Sequence, residues 1–525
     1  MKITFVFLLL VSIHSLAQTK IDVQHYRFEV RLTDSSNVVN GTATIRFKAM
    51  QKLDTVSFDL INTDTSNRGM TVLNVLSGGR SMKWAHRNNK LHINLSPAVA
   101  MGSVMDVRID YSGNPKDGLV ISTNKFGDRT FFGDNWPDRG RNWLPCVDDP
   151  ADKASVEFLV TAPIHYQVVS NGVQIEETVL NNQEKLTHWK ETAALPTKIM
   201  VIGVAKFAVQ YVGDTLGVPV YSWVYPQEKA NAFYDYAQAK DVLPFFINNI
   251  GPYAYGKLAN VQSKTIFGGM ENAGCIFYNE NTISGQRKAE DLLAHEIAHQ
   301  WFGNMATEKS FAHLWLSEGF ATYLTDLYMG EKYGKDTMNT RLLDERNQVV
   351  VYNRRSPGPV VDSLTKNYMQ LLNANSYQKG AWVLHMLRGI LGADVFMKGV
   401  KTYYKKYAGS NASTDDFRKV MEEVSGKDLK TFFRQWLFTG GHPVLQIKHE
   451  FDVKKNAMTV TVTQQQEGLF EFPLEIQFRN GSINVKKTLQ IKKKEEKFMV
   501  SGVGAKSTLV VDPEVKLLYE VNRGF

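Results

Sequence analysis

The chain has 525 residues, too many for one hydrophobic core, so two to four domains are expected. With 43% hydrophobic and 22% charged residues, a mean hydropathy of -0.26 and no low-complexity tract, it has the composition of a soluble globular protein. The formal charge of +8 is the small excess of 61 Lys and Arg over 53 Asp and Glu. Even the densest run, Lys492-Lys493-Lys494-Glu495-Glu496-Lys497, mixes both signs, which excludes a nucleic-acid-binding patch.

The first element in the chain reads as an export signal. Met1-Lys2 is basic, residues 3–13 are almost wholly apolar, and Ser15-Leu16-Ala17 ends in a small residue. This predicts a signal peptide over 1–17, cut after Ala17 to leave Gln18 at the new N-terminus. A membrane anchor needs about 20 apolar residues, and His14 interrupts the run too soon. No later segment is apolar enough to span a bilayer, so an exported protein, periplasmic or secreted, is expected. Cys146 and Cys275 are too few for a disulfide framework and are read as two buried free thiols.

From Ile21 the chain alternates: Tyr26, Phe28, Val30 and Leu32 on one face, Arg27, Glu29 and Arg31 on the other. Similar short runs recur to about Phe207, separated by turn signals such as Asn40-Gly41 and Gly78-Gly79. This predicts a mostly antiparallel β domain over 18–210. From about Glu228 the texture becomes helical, with helices expected over 230–250, 287–302, 318–333, 376–391 and 394–407. Further helices are expected from Thr414-Asp415-Asp416 and over 428–438. Alternation resumes after Pro443, as in Val460/Val462 and Leu474/Ile476/Phe478. The predicted architecture is therefore multidomain α+β: a β domain, a mainly helical domain over 211–440 and a small β domain over 441–525.

Within the helical region, Ala294-His295-Glu296-Ile297-Ala298-His299-Gln300 contains H-E-x-x-H. At 3.6 residues per turn His295 and His299 share one face and can reach one ion, while Glu296 stands roughly 100° round the helix, beside that ion. Glu318, in Leu316-Ser317-Glu318-Gly319, follows His299 by 318−299 = 19 positions, room for a turn and an antiparallel helix returning a carboxylate to the same place. Two His and one Glu with a fourth position open is the pattern of a catalytic zinc site. His313 and His385 are read as packing or supporting residues, not ligands.

Upstream stands Gly268-Gly269-Met270-Glu271-Asn272-Ala273-Gly274. Taken with H-E-x-x-H and the Glu318 segment, it resembles the aminopeptidase N family of zinc gluzincins, which includes leukotriene hydrolase. That resemblance implies a β-saddle domain, a thermolysin-like catalytic domain and a C-terminal β-sandwich, in a short form without the large helical domain that many members add. It implies one Zn2+ per chain on His295, His299 and Glu318, and Glu296 as general base and acid. Glu271 would bind the α-ammonium of a peptide, with Gly268, Gly269, Met270 and Asn272 alongside the substrate. Tyr377, in Ser376-Tyr377-Gln378-Lys379-Gly380, matches the family tyrosine that donates to the oxyanion.

The chain also departs from the family. Where members often carry Gln-x-Glu for a second carboxylate on the amine, it has Asp134-Asn135-Trp136, with Asp134 as the substitute candidate. Ser317 stands for the usual Asn and Ala273 for a frequent Trp. The expected activity is removal of N-terminal residues from peptides with a free N-terminus. The alternatives are a zinc endopeptidase and a catalytically inactive peptide-binding relative.

Overall fold

Residues 20–521 are described by a computed structural model. Their N-terminal part is built on an eight-stranded sheet, in the spatial order Val173–Val179, Glu184–Leu195, Ala154–Pro163, Ile21–Arg31, Val39–Ala49, Val104–Asn114, Gly69–Ser77 and Arg80–Ser81. Strand Ile21–Arg31 pairs antiparallel with Val39–Ala49 and parallel with Ala154–Pro163. Its alternation keeps period 2 on either side of an irregularity between Val23 and His25: Ile21 and Val23, then Tyr26, Phe28 and Val30, are buried, while Asp22 and Gln24 are exposed. Smaller sheets of three and four strands complete this half. Cys146 and Cys275 are both buried free thiols. The segment expected to be a signal peptide lies outside the described residues. Among the described residues no helix is long and apolar enough to cross a membrane.

The central half is less purely helical than its sequence suggests. It opens with a five-stranded sheet, ordered Ala208–Thr215, Val218–Val224, Leu258–Ser263, Cys275–Asn279 and, at the edge, Gly269–Met270. The first of these strands runs across residue 210. Alternate side chains serve two different cores. Leu258, Ile276 and Tyr278 pack with the helices, while Ala259, Val261, Cys275 and Phe277 pack with the N-terminal half. A strand buried on both faces shows no apolar–polar alternation, which is why this sheet hides from periodicity.

Among the described residues nine α-helices follow in the order α1 (Lys229–Tyr236), α2 (Ala239–Asn249), α3 (Glu290–Ala298), α4 (Trp315–Tyr333), α5 (Lys335–Asn353), α6 (Gly380–Leu391), α7 (Ala393–Tyr407), α8 (Thr414–Ser425) and the short α9 (Lys430–Phe433), which runs into a π-helical turn, Arg434–Phe438. The single helix expected over 230–250 is two. The one expected over 287–302 is only nine residues long, and α5 had no counterpart in the expectations. Acidic Glu290 and Asp291 occupy the first turn of α3, where they favour the helix N-terminus. Glu290 also accepts hydrogen bonds from Tyr328 and Tyr333 at 2.5 Å and pairs with Lys332, all on α4, and these bonds tie the two helices together. Two small sheets close the chain, one of four strands including Val444–Asp452 and Ala457–Gln464, the other of three including Phe472–Asn480 and Ile483–Ile491.

Candidate functional site

α3 and α4 bring three ligand-type atoms to one point. The Nε2 atoms of His295 and His299 are 3.1 Å apart, and Oε2 of Glu318 lies 3.3 Å from the first and 3.2 Å from the second. Donors each about 2.0–2.1 Å from a shared tetrahedral zinc stand about 3.3 Å from one another, so the triangle has the right size for that ion. Apart from the two imidazoles, Glu318 Oε2 is buried without a hydrogen-bond partner, as a ligand oxygen would be.

The electrostatics agree with this geometry. Burial alone would lower the His299 pKa, but the Glu318 and Glu271 carboxylates outweigh it and push it up to about 10. Burial would raise the Glu318 carboxyl, yet the two imidazoles hold it below the ordinary carboxylate range. A site that gathers a proton this strongly is one that accepts a cation. His299 is also steered from behind: its Nδ1 lies 3.1 Å from Ser317 Oγ and 3.2 Å from the Phe302 carbonyl, which turns the Nε2 lone pair toward Glu318.

Glu296 lies in the same cleft, 5% exposed, against the edge strand. A Cβ on Gly269 would fall 2.3 Å from its Oε1, so only glycine leaves room for that carboxylate beside the backbone. Burial, with the charges of Glu271 and Glu318, pushes the Glu296 carboxyl well up. Glu271 sits at the end of the edge strand with its backbone carbonyl accepting from Gln300 Nε2 at 3.0 Å and Asn304 Nδ2 at 2.6 Å. Its carboxylate is buried, Oε1 has no partner, and it shares a cluster with Glu296 and His299 whose ligand atoms all lie within 4.8 Å of one another. Tyr377 falls in a π-helical turn, Asn375–Lys379, and its ring lies parallel to the His295 imidazole at 6.1 Å.

These residues line a cleft of about 560 Å³, together with Gly268, Gly269 and Met270. Two of the sequence candidates are placed elsewhere. Asn272 is fully buried and does not line the cleft. Asp134 is corrected: its carboxylate is 1% exposed, pairs with Arg139 at 2.9 Å, and accepts from Thr265 Oγ1 and Ile266 N, each at 3.2 Å. It anchors the segment leading into Gly268-Gly269 from behind, where no amine can reach it. Trp136, two residues on, lines the cleft in its stead, packed edge-on against Phe267 and Phe311. His313 and His385 are engaged away from the ion site, with Thr414 and with Tyr323 and the Val515 carbonyl. Sequence reasoning missed Trp136, Arg341 and Glu345 as cleft residues; for α5 no apolar period marked the helix that carries the last two.

Two family models match the chain: the peptidase family M1 domain over residues 234–436 and the peptidase M1 N-terminal domain over residues 22–199. Among curated proteins, Aminopeptidase M1-A of Oryza sativa subsp. japonica is 28% identical over 382 residues, which is 70% of this chain and 43% of that protein. Glutamyl aminopeptidase of Bitis rhinoceros is 30% identical over 356 residues, 63% of this chain and 35% of that protein. Probable aminopeptidase 2 of Sulfurisphaera tokodaii is 27% identical over 397 residues, 72% of this chain and 50% of that protein. The chain therefore spans between about a third and a half of the length of these relatives.

Proposed function

The chain belongs to peptidase family M1, and from that membership we propose that it is a zinc-dependent aminopeptidase acting on peptides with a free N-terminus. The observation that carries the reading is the place of Glu271. A buried carboxylate with a free oxygen closes one end of the cleft within 4.8 Å of the Glu296 and His299 ligand atoms, where it would neutralise an α-ammonium.

His295, His299 and Glu318 would hold the zinc, the three donors it favours. When bound, the ion supplies Lewis acidity, acidifying water and polarising a carbonyl. Glu296, beside it, takes the proton from the attacking water and passes it to the leaving amine. Its raised proton affinity suits the first of these transfers. Tyr377 keeps its phenolic proton, since burial and the surrounding carboxylates push its pKa well up. That proton is donated to the oxygen on which charge develops. The strand Gly269–Met270 offers its free edge to the substrate backbone, which adds as a further strand.

The test is Glu296→Gln assayed on a peptide and its N-acetylated form. The variant is expected to keep stoichiometric zinc while losing about 10²–10⁴-fold in kcat. Wild-type turnover by the variant would remove Glu296 from its role. Equal cleavage of free and N-acetylated peptide by the wild type would favour an endopeptidase. Purified protein without stoichiometric zinc would favour a binding relative.

A further inference from the structure

Six carboxylates line the cleft against a single guanidinium, that of Arg341, although the chain as a whole carries an excess of base. Glu271, Glu296 and Glu318 crowd around the imidazoles. The other three, Asp291, Asp344 and Glu345, form a separate wall. Asp291 lies one turn before His295 on α3, about 6 Å along the axis. It is at the end opposite to Gln300 and Asn304, the residues that clamp Glu271. Glu345 projects from α5, one turn after Arg341.

Arg341 is already matched within this wall: its Nε donates to Asp326 Oδ1 at 2.7 Å and its Nη1 lies 3.3 Å from Asp291 Oδ2. Glu345 has no such donor: it is 6% exposed and meets only the second acid, Asp326. Burial, the Asp326 charge and a hydrogen bond shared with Asp326 push the Glu345 carboxyl well up, although Arg341 opposes this, so a proton is held between the two buried acids. Apart from that shared proton neither Glu345 Oε2 nor Asp326 Oδ2 has a donor, and a cation entering along the cleft would take the place of the proton. We infer that the wall of Asp291, Asp344 and Glu345 is a subsite for a cationic side chain, Lys or Arg, on the leaving side of the scissile bond.

The direction rests on the aminopeptidase reading, with the N-terminus at Glu271. An extended peptide rises about 3.3 Å per residue, so a wall about 6 Å beyond His295 meets the second or third residue. Initial rates on Leu-Lys-Ala, Leu-Ala-Lys, Leu-Ala-Ala and Leu-Glu-Ala with the zinc-loaded full chain test it. At least one Lys peptide is expected to exceed Leu-Ala-Ala about tenfold in kcat/KM, with Leu-Glu-Ala below it. In the double variant Asp344→Asn/Glu345→Gln that ratio should fall to about one. Should the double variant not fold, Asp344→Asn alone, at the exposed rim, is expected to lose about half the logarithm of the preference. Equal rates on all four peptides in the wild type, or a ratio unchanged in the variants, would overturn the subsite.

Failure of the functional reading gives a different signature. A chain that cleaves neither a leucyl anilide nor any of these peptides sinks the aminopeptidase, not the acidic wall. Calorimetric binding of the same peptides to Glu296→Gln then reads the subsite without turnover: tenfold tighter binding of a Lys peptide supports it, and equal affinities reject it.

Discussion

The backbones of Gly319 and Gly380 touch where α4 crosses the start of α6: a Cβ on Gly319 would lie 2.9 Å from Cα of Gly380, and one on Gly380 3.0 Å from Cα of Gly319. Each glycine stands next to a functional segment. Gly319 follows the candidate ligand Glu318, and Gly380 ends the π-helical turn that presents Tyr377. Their contact sets how near the carboxylate and the phenol come.

Gly319→Ala is therefore expected to push α6 from α4. Overpacking a filled crossing costs about 1–3 kcal/mol, to be read by denaturant unfolding. The same shift moves Tyr377 away from the reacting oxygen, so kcat should fall more than the stability loss alone accounts for. An unchanged kcat in the folded variant would show that the crossing does not set the position of Tyr377.

Asp134→Ala separates anchoring from amine binding. The substitution removes one of the two carboxylate partners of buried Arg139, which keeps Asp117 at 2.9 Å, and frees Ile266 N and Thr265 beside the edge strand. Because Asp117 still compensates Arg139, the loss is expected to stay below the about 3–5 kcal/mol of a buried ion pair broken from one side. Zinc content should be kept, and kcat/KM for every peptide tested should fall together. A loss confined to binding of the free amine, measured against N-acetylated competitors, would instead return Asp134 to the amine site.

Chelation should abolish turnover, and added Zn2+ should restore it. The ligands sit on helices pinned by Glu290 and by the Gly319–Gly380 crossing, so the metal-free chain is expected to stay folded by circular dichroism. Zinc at a hundredfold its Kd should then add about 2.7 kcal/mol of stability, visible as a higher Tm. Loss of secondary structure on chelation would mean that the ion builds the site and not the reverse.

Asp152 gives a pH dependence far from the cleft. Burial pushes its carboxyl up to about 7, and Oδ2 has no partner, while Val23 N donates to Oδ1 at 3.2 Å. The unfolded value is about 3.9. Between these two values the folded state holds the proton that the unfolded state has lost. This residue's contribution therefore falls as pH rises from about 4 to 7 and stays low above. Asp152→Asn keeps the acceptor for Val23 and removes the charge. It should match the wild type near pH 4 and exceed it by up to about 4 kcal/mol at pH 8. Unfolding curves of both proteins at the two pH values check this, and parallel curves would place the titration elsewhere.

The spacing of His295, Glu296, His299 and Glu318 was legible because helix geometry alone converts it into a shared face and a returning carboxylate. The outer β layers were legible through alternation. What stayed hidden had no period to show. The strands Leu258–Ser263 and Cys275–Asn279 are buried on both faces. Helix α5 buries Leu342, Glu345, Val349 and Asn353, and a stripe that is half polar does not register as apolar. Asp134 was misplaced for a related reason: a carboxylate in sequence does not say whether it faces the substrate or a buried arginine. Ser317 showed only as a departure from the family until His299 Nδ1 was found beside it.

The strand that serves two cores also limits how this chain can be divided. Ala259, Val261, Cys275 and Phe277 belong to the interior of the N-terminal half, while Leu258, Ile276 and Tyr278 on the same strands belong to the helices. Cutting the chain near residue 210 would strip one side of the sheet bare and leave its edge, Gly269–Met270, without a rigid backing. The helical half alone could keep its histidines and still lose the track along which a substrate lies. The candidate site is thus a property of the joint between two domains, and neither carries it as a portable unit.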